Sequence, residues 1–135
     1  MFKFRHKQFQ QNSMDNDFPI IRLAEMYMNR AEGRSMAAGD WSQGLADVNQ
    51  IRSRANVEPF VTLDMQKFAD ESGREFYQES HRRTNLVRWD KYTEPWWEKT
   101  TARGGVVGDA NKNLFPIPQS QIQAANGSLT QNAGY

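Results

Sequence analysis

There is no cysteine anywhere in these 135 residues. That excludes disulfides, a thiol nucleophile, a thiolate metal site and a lipid carried on cysteine. Long apolar runs are missing too. The opening MFKFRHKQFQ has no stretch of signal-peptide length, and no segment approaches the roughly 20 apolar residues of a membrane span. A charge excess of either sign is also lacking: 17 basic against 16 acidic side chains leave a net charge of +1. Bulk attraction to nucleic acid or an anionic membrane is therefore not expected. With only two histidines, His6 and His81, and no H-x-x-x-H or H-x-x-E spacing, neither a metal site nor any other cofactor is expected. There is no G-x-S-x-G serine elbow. Gly104, Gly105 and Gly108 lack the Lys-Ser/Thr that a phosphate loop requires. What the chain does have is four tryptophans and eight phenylalanines, the mark of a folded domain rather than a disordered one.

Taken in order, residues 1–16 read as a short strand or loop, and residues 17–135 as one helical domain. Asp17 and Pro19 suggest a helix start, and the helix runs to about Ala38 with Ile20, Leu23, Ala24, Tyr27 and Ala31 as its apolar stripe, broadened by Met28. Gly39 stops it and Asp40 caps the next, over residues 41–55, which buries Trp41, Leu45, Val48, Ile51 and Ala55. So short a turn folds the pair back antiparallel. The hairpin is of tetratricopeptide type, but no second copy follows. It therefore needs the third helix, or sequence outside the chain, to cover its other face. Thr62 is the expected cap of that third helix, residues 63–80, which breaks near His81 before a shorter helix through Trp89. Residues 90–113 form a long irregular loop. The tail is extended at 114–118 and makes one or two helical turns at 119–125. The expected fold is mainly α: an antiparallel hairpin, a third charged helix, a long loop and an extended tail.

The densest chemistry lies in residues 71–89, ESGREFYQESHRRTNLVRW. Glu71, Glu75 and Glu79 repeat every four residues and so share a helix face, and Glu79 precedes Arg82 and Arg83 in the favourable order. On the hairpin, Glu25 and Glu32 face the neighbourhood of Asn49, Arg52 and Arg54. Two carboxylates suit a glycosidase, but arginines in matching number lie opposite, so ion pairing between the helices is the expectation. Glu25, Glu32, Arg52, Arg54, Glu71, Arg74, Glu75, Glu79, Arg82, Arg83 and Arg88 are accordingly read as one structural ion-pair cluster, with no catalytic residue among them. Arg82, Arg83, Arg88 and Lys91 beside Trp89 and Tyr92 imitate a nucleic-acid patch. Neutralising acids at Glu79, Asp90 and Glu94 argue instead for arginines stacked on aromatics. Trp96 and Trp97, adjacent in the long loop, are the candidate ligand contacts, because flat rings stack on sugars.

Three ordered motifs resemble the C-terminal part of the SusD/RagB family of cell-surface nutrient-binding lipoproteins. These are I-R-L-A-E-M-Y-M-N-R-A-E with L-A-D-V-N-Q-I-R-S-R-A; then E-x-x-R-E-F-x-x-E-x-x-R-R-x-N-L-x-R-W; then L-F-P-I-P followed by Q-N-A-G-Y at the end. Ser72, Ser80, Asn85, Gly127 and Ala133 depart from the family's usual arginine, glycine, aspartate and two prolines. The resemblance implies a non-catalytic outer-membrane protein that captures oligosaccharides or peptides and passes them to a TonB-dependent transporter. It also implies a membrane attachment only through a lipid anchor, which is absent from these residues, as are the signal peptide and the N-terminal helical repeats. On that reading the chain is an excised piece or a truncated reading frame. The other function class left open is a helical protein-protein interaction scaffold with no ligand site of its own.

Overall fold

The computed structural model describes residue 17, residues 19–95 and residues 107–135. All regular structure among them is helical: α1 (Leu23–Ala38), a 3-10 turn (Trp41–Gly44), α2 (Leu45–Arg54), α3 (Met65–Glu75), α4 (His81–Arg88), a second 3-10 turn (Ala110–Asn113) and α5 (Gln119–Ala124). The chain divides into two compact units, Met1–Glu79 and Ser80–Tyr135.

In the first unit, α1 is built from strong helix formers and ends where the sequence says it should. Gly39 adopts φ 64°, its N–H reaching Met36 O at 3.3 Å while the Asp40 N–H reaches Ser35 O at 3.0 Å. This left-handed glycine cap satisfies the last carbonyls. Asp40 then accepts from the Ser42 N–H at 2.9 Å and opens the next turn. Those hydrogen bonds, first from the Ser42 hydroxyl and then from its N–H, hold the Asp40 carboxyl below the usual aspartate range. The short connection returns α2 antiparallel to α1. Arg30 meets Asp47 near the turn, and Ile51 and Arg54 border the same groove as Leu23 and Tyr27 farther along. At the crossing, the backbone of Gly44 lies directly on Ala31: a Cβ there would stand 2.8 Å from Ala31 O and from Ser35 Oγ.

The core of this unit comprises Met28, Ala31, Val48, Ile51, Phe68, Ala69 and Phe76, with Ala24 and Leu63 at its margin. Trp41 packs its ring 5.1 Å from that of Phe68, so the turn between α1 and α2 is tied to α3. α2 ends at Arg54 with Ala55 as its cap, and Asn56, one residue on, turns left-handed at φ 54°. Asn49 then clamps the connecting loop, donating to Phe60 O at 2.9 Å and accepting from the Phe60 N–H at 2.8 Å.

Several sequence expectations need correction. Helix α1 begins at Leu23, not near Asp17, so Ile20 precedes it and both Ile20 and Leu23 stand exposed. The cap of α3 is Asp64, which accepts from the Lys67 N–H at 2.8 Å, rather than Thr62. Finally, α3 stops at Glu75. Gln78 and Ser80 adopt φ 65° and 63°, so the third helix does not run through to residue 80. The shorter helix expected after the break is α4. Of the second helix's expected core, Ala55 is exposed and Trp41 and Leu45 are only half-buried. The 1–16 strand lies outside the described residues.

Because Gly44 has no room for a side chain, Gly44→Ala should force α1 and α2 apart, costing about 1–3 kcal/mol as other overpacked sites do. Urea unfolding with an unchanged m-value and a lowered midpoint is the expected readout; an unchanged midpoint would mean that the close approach carries no weight.

Candidate functional site

Three buried carboxylates dominate the first unit. Glu71 and Glu75 stand on α3, Glu79 lies in the turn after it, and all three are almost fully covered. Each meets guanidinium groups. Arg22, just before α1, donates through Nη1 to Glu75 at 2.5 Å, through Nε and Nη2 to Glu79 at 2.6 and 2.9 Å, and to the Glu75 carbonyl at 2.7 Å. Its charged form is favoured: burial alone would lower its pKa, but the hydrogen bonds and charges of Glu79 and Glu75 more than offset that and raise it. Arg54 adds a two-pronged contact to Glu75 at 2.9 and 3.0 Å. Arg52 reaches Glu71 at 2.5 Å and the Glu58 carbonyl at 2.8 Å while covering the Phe60 ring at 3.8 Å. Arg74 closes on Glu71 at 2.9 Å from the same helix.

The cluster therefore links α2 to α3, and the pairing differs from the expected one. Arg52 and Arg54 pair with Glu71 and Glu75, not with Glu25 and Glu32 of α1. Glu25 instead keeps one carboxylate oxygen buried without a partner, and Glu32 is buried on α1. The ion pair that does cross from α1 to α2 joins Arg30 to Asp47, at 2.6 and 2.9 Å, with Arg34 at 3.7 Å. The hydrogen bonds that Arg30 donates to Asp47, and then the Asp47 charge, raise the Arg30 pKa. Sequence reasoning missed Arg22, Arg30 and Asp47. The signal for Arg22 was available in the motif R-L-A-E-M-Y, whose leading arginine had no acid assigned to it.

In the second unit Arg83 lies between two rings, 5.0 Å from Tyr92 and 3.9 Å from Phe115, and donates to Lys112 O at 2.9 Å. It ties α4 to the tail. Arg88 lies 5.4 Å over Trp89, and Arg82 is exposed on α4. The tail holds itself by side-chain amides. Between Pro116 and Pro118 the single available N–H is that of Ile117, and Gln131 Oε1 accepts it at 2.8 Å while Gln131 Nε2 donates to Ile117 O at 2.9 Å. Asn132 donates to Phe115 O at 2.8 Å, and the Tyr135 hydroxyl to Leu114 O at 2.9 Å. Gly134, at φ 88°, lets Asn111 Nδ2 approach its carbonyl to 2.8 Å; a Cβ there would strike the Asn111 side chain at 2.7 Å. L-F-P-I-P and Q-N-x-G-Y are thus two halves of one clamp. Trp96 and Trp97 lie outside the described residues. Among the described residues no group of His, Asp and Glu is placed to hold a metal ion.

This geometry can now be compared with known proteins. The family model described as the SusD family matches residues 1–135. The chain belongs to the SusD family. Within it, this SusD-family chain is 40% identical over 125 residues to the starch-binding protein SusD of Bacteroides thetaiotaomicron, a match covering 90% of this chain and 22% of that relative. It is also similar in structure to the surface glycan-binding protein A from Bacteroides thetaiotaomicron. There the TM-score is 0.72 at 27% identity, over 89% of this chain and 25% of that one. The SusD-family chain therefore spans about a quarter of the length of the relatives it matches.

Removing one acid leaves guanidinium groups facing buried space, so Glu75→Ala should cost about 3–5 kcal/mol, the scale for breaking a buried pair. In the second unit Gln131→Ala should cost about 1–3 kcal/mol by stranding the Ile117 N–H and carbonyl. Thermal unfolding followed by circular dichroism checks both; losses below about 0.5 kcal/mol would mark these contacts as surface decoration.

Proposed function

We propose that this chain is part of a cell-surface nutrient-binding protein that captures glycans and passes them to a TonB-dependent outer-membrane transporter. The observation that carries the reading is the 40% identity to a starch-binding protein along 90% of the chain. A glycan is favoured over a peptide because both relatives are named for starch or glycan binding. The charged residues support a role without catalysis. Glu71, Glu75 and Glu79, the densest acidic group, are buried and each paired with an arginine. No helix among the described residues is long and apolar enough to cross a membrane. On this reading a lipid anchor attaches the whole protein to the outer membrane. Trp96 and Trp97 are the residues we assign to ligand contact, since paired indoles offer broad faces to sugar rings.

Titrating the chain with malto-oligosaccharides, and with cello-oligosaccharides and a mixed tripeptide pool as comparisons, while following tryptophan fluorescence, tests the assignment. A saturable change with the α-glucans that disappears in Trp96→Ala/Trp97→Ala is expected. No response to any glycan would remove ligand binding from this chain, and hydrolysis products in the mixture would overturn the non-catalytic reading.

A further inference from the structure

The turn that follows α5 carries a reactive pair of residues that the clamp around Ile117 does not use. Asn126 is followed by Gly127, and no other asparagine in the chain precedes a glycine. Asn126 adopts φ 47° and Gly127 φ 85°, and the Ser128 N–H reaches Ala125 O at 3.0 Å. Two positive φ values closed by that bond are the pattern of a type I′ turn, for which Asn-Gly is a preferred pair. Both residues are exposed. Among the described residues, neither the Asn126 carboxamide nor the Gly127 N–H has a hydrogen-bond partner. Asparagines elsewhere are held by their side chains, Asn49 to Phe60, Asn111 to Gly134 and Asn132 to Phe115. The Ser128 hydroxyl adds a second contact to Ala125 O at 2.6 Å. Opening the turn therefore gives up two hydrogen bonds at the surface, the kind of local event that folded proteins undergo readily.

We propose that Asn126 is a site of spontaneous deamidation, its side chain attacked by the backbone nitrogen of Gly127. With its proton taken by solvent base, that nitrogen forms a bond to Asn126 Cγ. The Cγ–Nδ2 bond breaks, ammonia leaves with a proton drawn from water, and a cyclic succinimide remains. One water then opens the ring. Attack at Cγ gives aspartate; attack at the main-chain carbonyl carbon gives isoaspartate. No oxidant or reductant is consumed. Glycine leaves the approach open, because it has no Cβ to crowd the ring as it closes. The proline usual at this position in the family pattern has no N–H to lose, so the departure at Gly127 is what admits the reaction. Either product is a carboxylate, which takes the formal net charge from +1 to zero. That charge lies just past the carbonyl end of α5, where a helix disfavours it. Isoaspartate also lengthens the backbone by one methylene ahead of Gln131. The chemistry is internal to two residues and stands apart from glycan capture, so either can fail without the other.

The test ages the 135-residue chain for days in neutral buffer and then cleaves it with trypsin after Lys112. The released peptide, residues 113–135, holds Asn113 and Asn132 as internal references beside Asn126. Fragmentation mass spectrometry should find the gain of one mass unit at residue 126 at least about tenfold faster than at either reference, with isoaspartate in excess of aspartate. The rate should climb as the buffer is made more alkaline, because the attacking nitrogen must lose its proton. Ion exchange should show a more acidic species growing in step, which Asn126→Gln should lack. Gly127→Ala should slow the conversion at least about fivefold while the rates at Asn113 and Asn132 stay unchanged, which reports that the tail remains folded. A rate at residue 126 no greater than at the references would overturn the proposal. So would aspartate formed without isoaspartate, or a Gly127→Ala chain that converts as fast, since the Gly127 nitrogen would then take no part.

Discussion

Three carboxylates buried against an apolar core would be untenable without cations beside them, and the first unit is arranged around supplying those cations. Moving an isolated charge out of water costs several kcal/mol, more than the hydrophobic gain of any single core side chain. Arg22 meets that demand from the residue just before α1, Arg52 and Arg54 from the last turn of α2, and Arg74 from α3 itself. The segments bearing α1, α2 and α3 therefore cannot shift independently: a movement of any one would strand a charge. Apolar packing of Trp41 on Phe68 fixes the other end of the same arrangement. Packing fills this hairpin, and charge pairing sets its register.

The same pairing bears on function. A general acid or a nucleophile needs at least one oxygen turned toward a substrate. Both oxygens of Glu75, and Oε2 of Glu71, are taken by arginine donors, two arginines to each carboxylate. The ladder of Glu71, Glu75 and Glu79, a row of charge in one dimension, is in three a joint between helices. Relatives roughly four times longer are named for binding starch or glycans.

Much of this was legible in the chain itself, where the signal was local. Gly39-Asp40 marks the turn between α1 and α2 because only a left-handed residue followed by a capping acid makes so tight a reversal. Other features were hidden for physical reasons. Asp17 and Pro19 satisfy the rules for a helix start, yet α1 waits until Leu23, which leaves Arg22 extended at φ −142° and able to reach α3. Four-residue spacing from Glu71 to Glu79 suggests one helix, but it constrains nothing about Gln78 and Ser80, whose left-handed backbone ends it. Ser80 stands where the family pattern usually has glycine, so the clue lay in the relatives' residue rather than in this one. Which helix would face Arg52 and Arg54 was not readable at all, since pairing across a hairpin and pairing with a third helix leave the same trace in sequence. For the candidate ligand contacts, adjacency of Trp96 and Trp97 suggests chemistry but carries no geometry.

The tail shows how a motif can be explained by what its backbone lacks. Two prolines in L-F-P-I-P remove two N–H donors, so the segment cannot join a sheet, and its carbonyls still need partners. Gln131 behaves toward Ile117 as a neighbouring strand would, giving one donor and one acceptor, and Asn49 does the same for Phe60 in the first unit. Asn132 takes the Phe115 carbonyl and Tyr135 that of Leu114, and Gly134 is required where the chain passes over Asn111. Gly127 adopts φ 85°, which a proline ring locked near −65° cannot reach. The tail's departure from the usual proline at that position is therefore a change of backbone route before Gln131, while the clamp that Gln131 makes is kept.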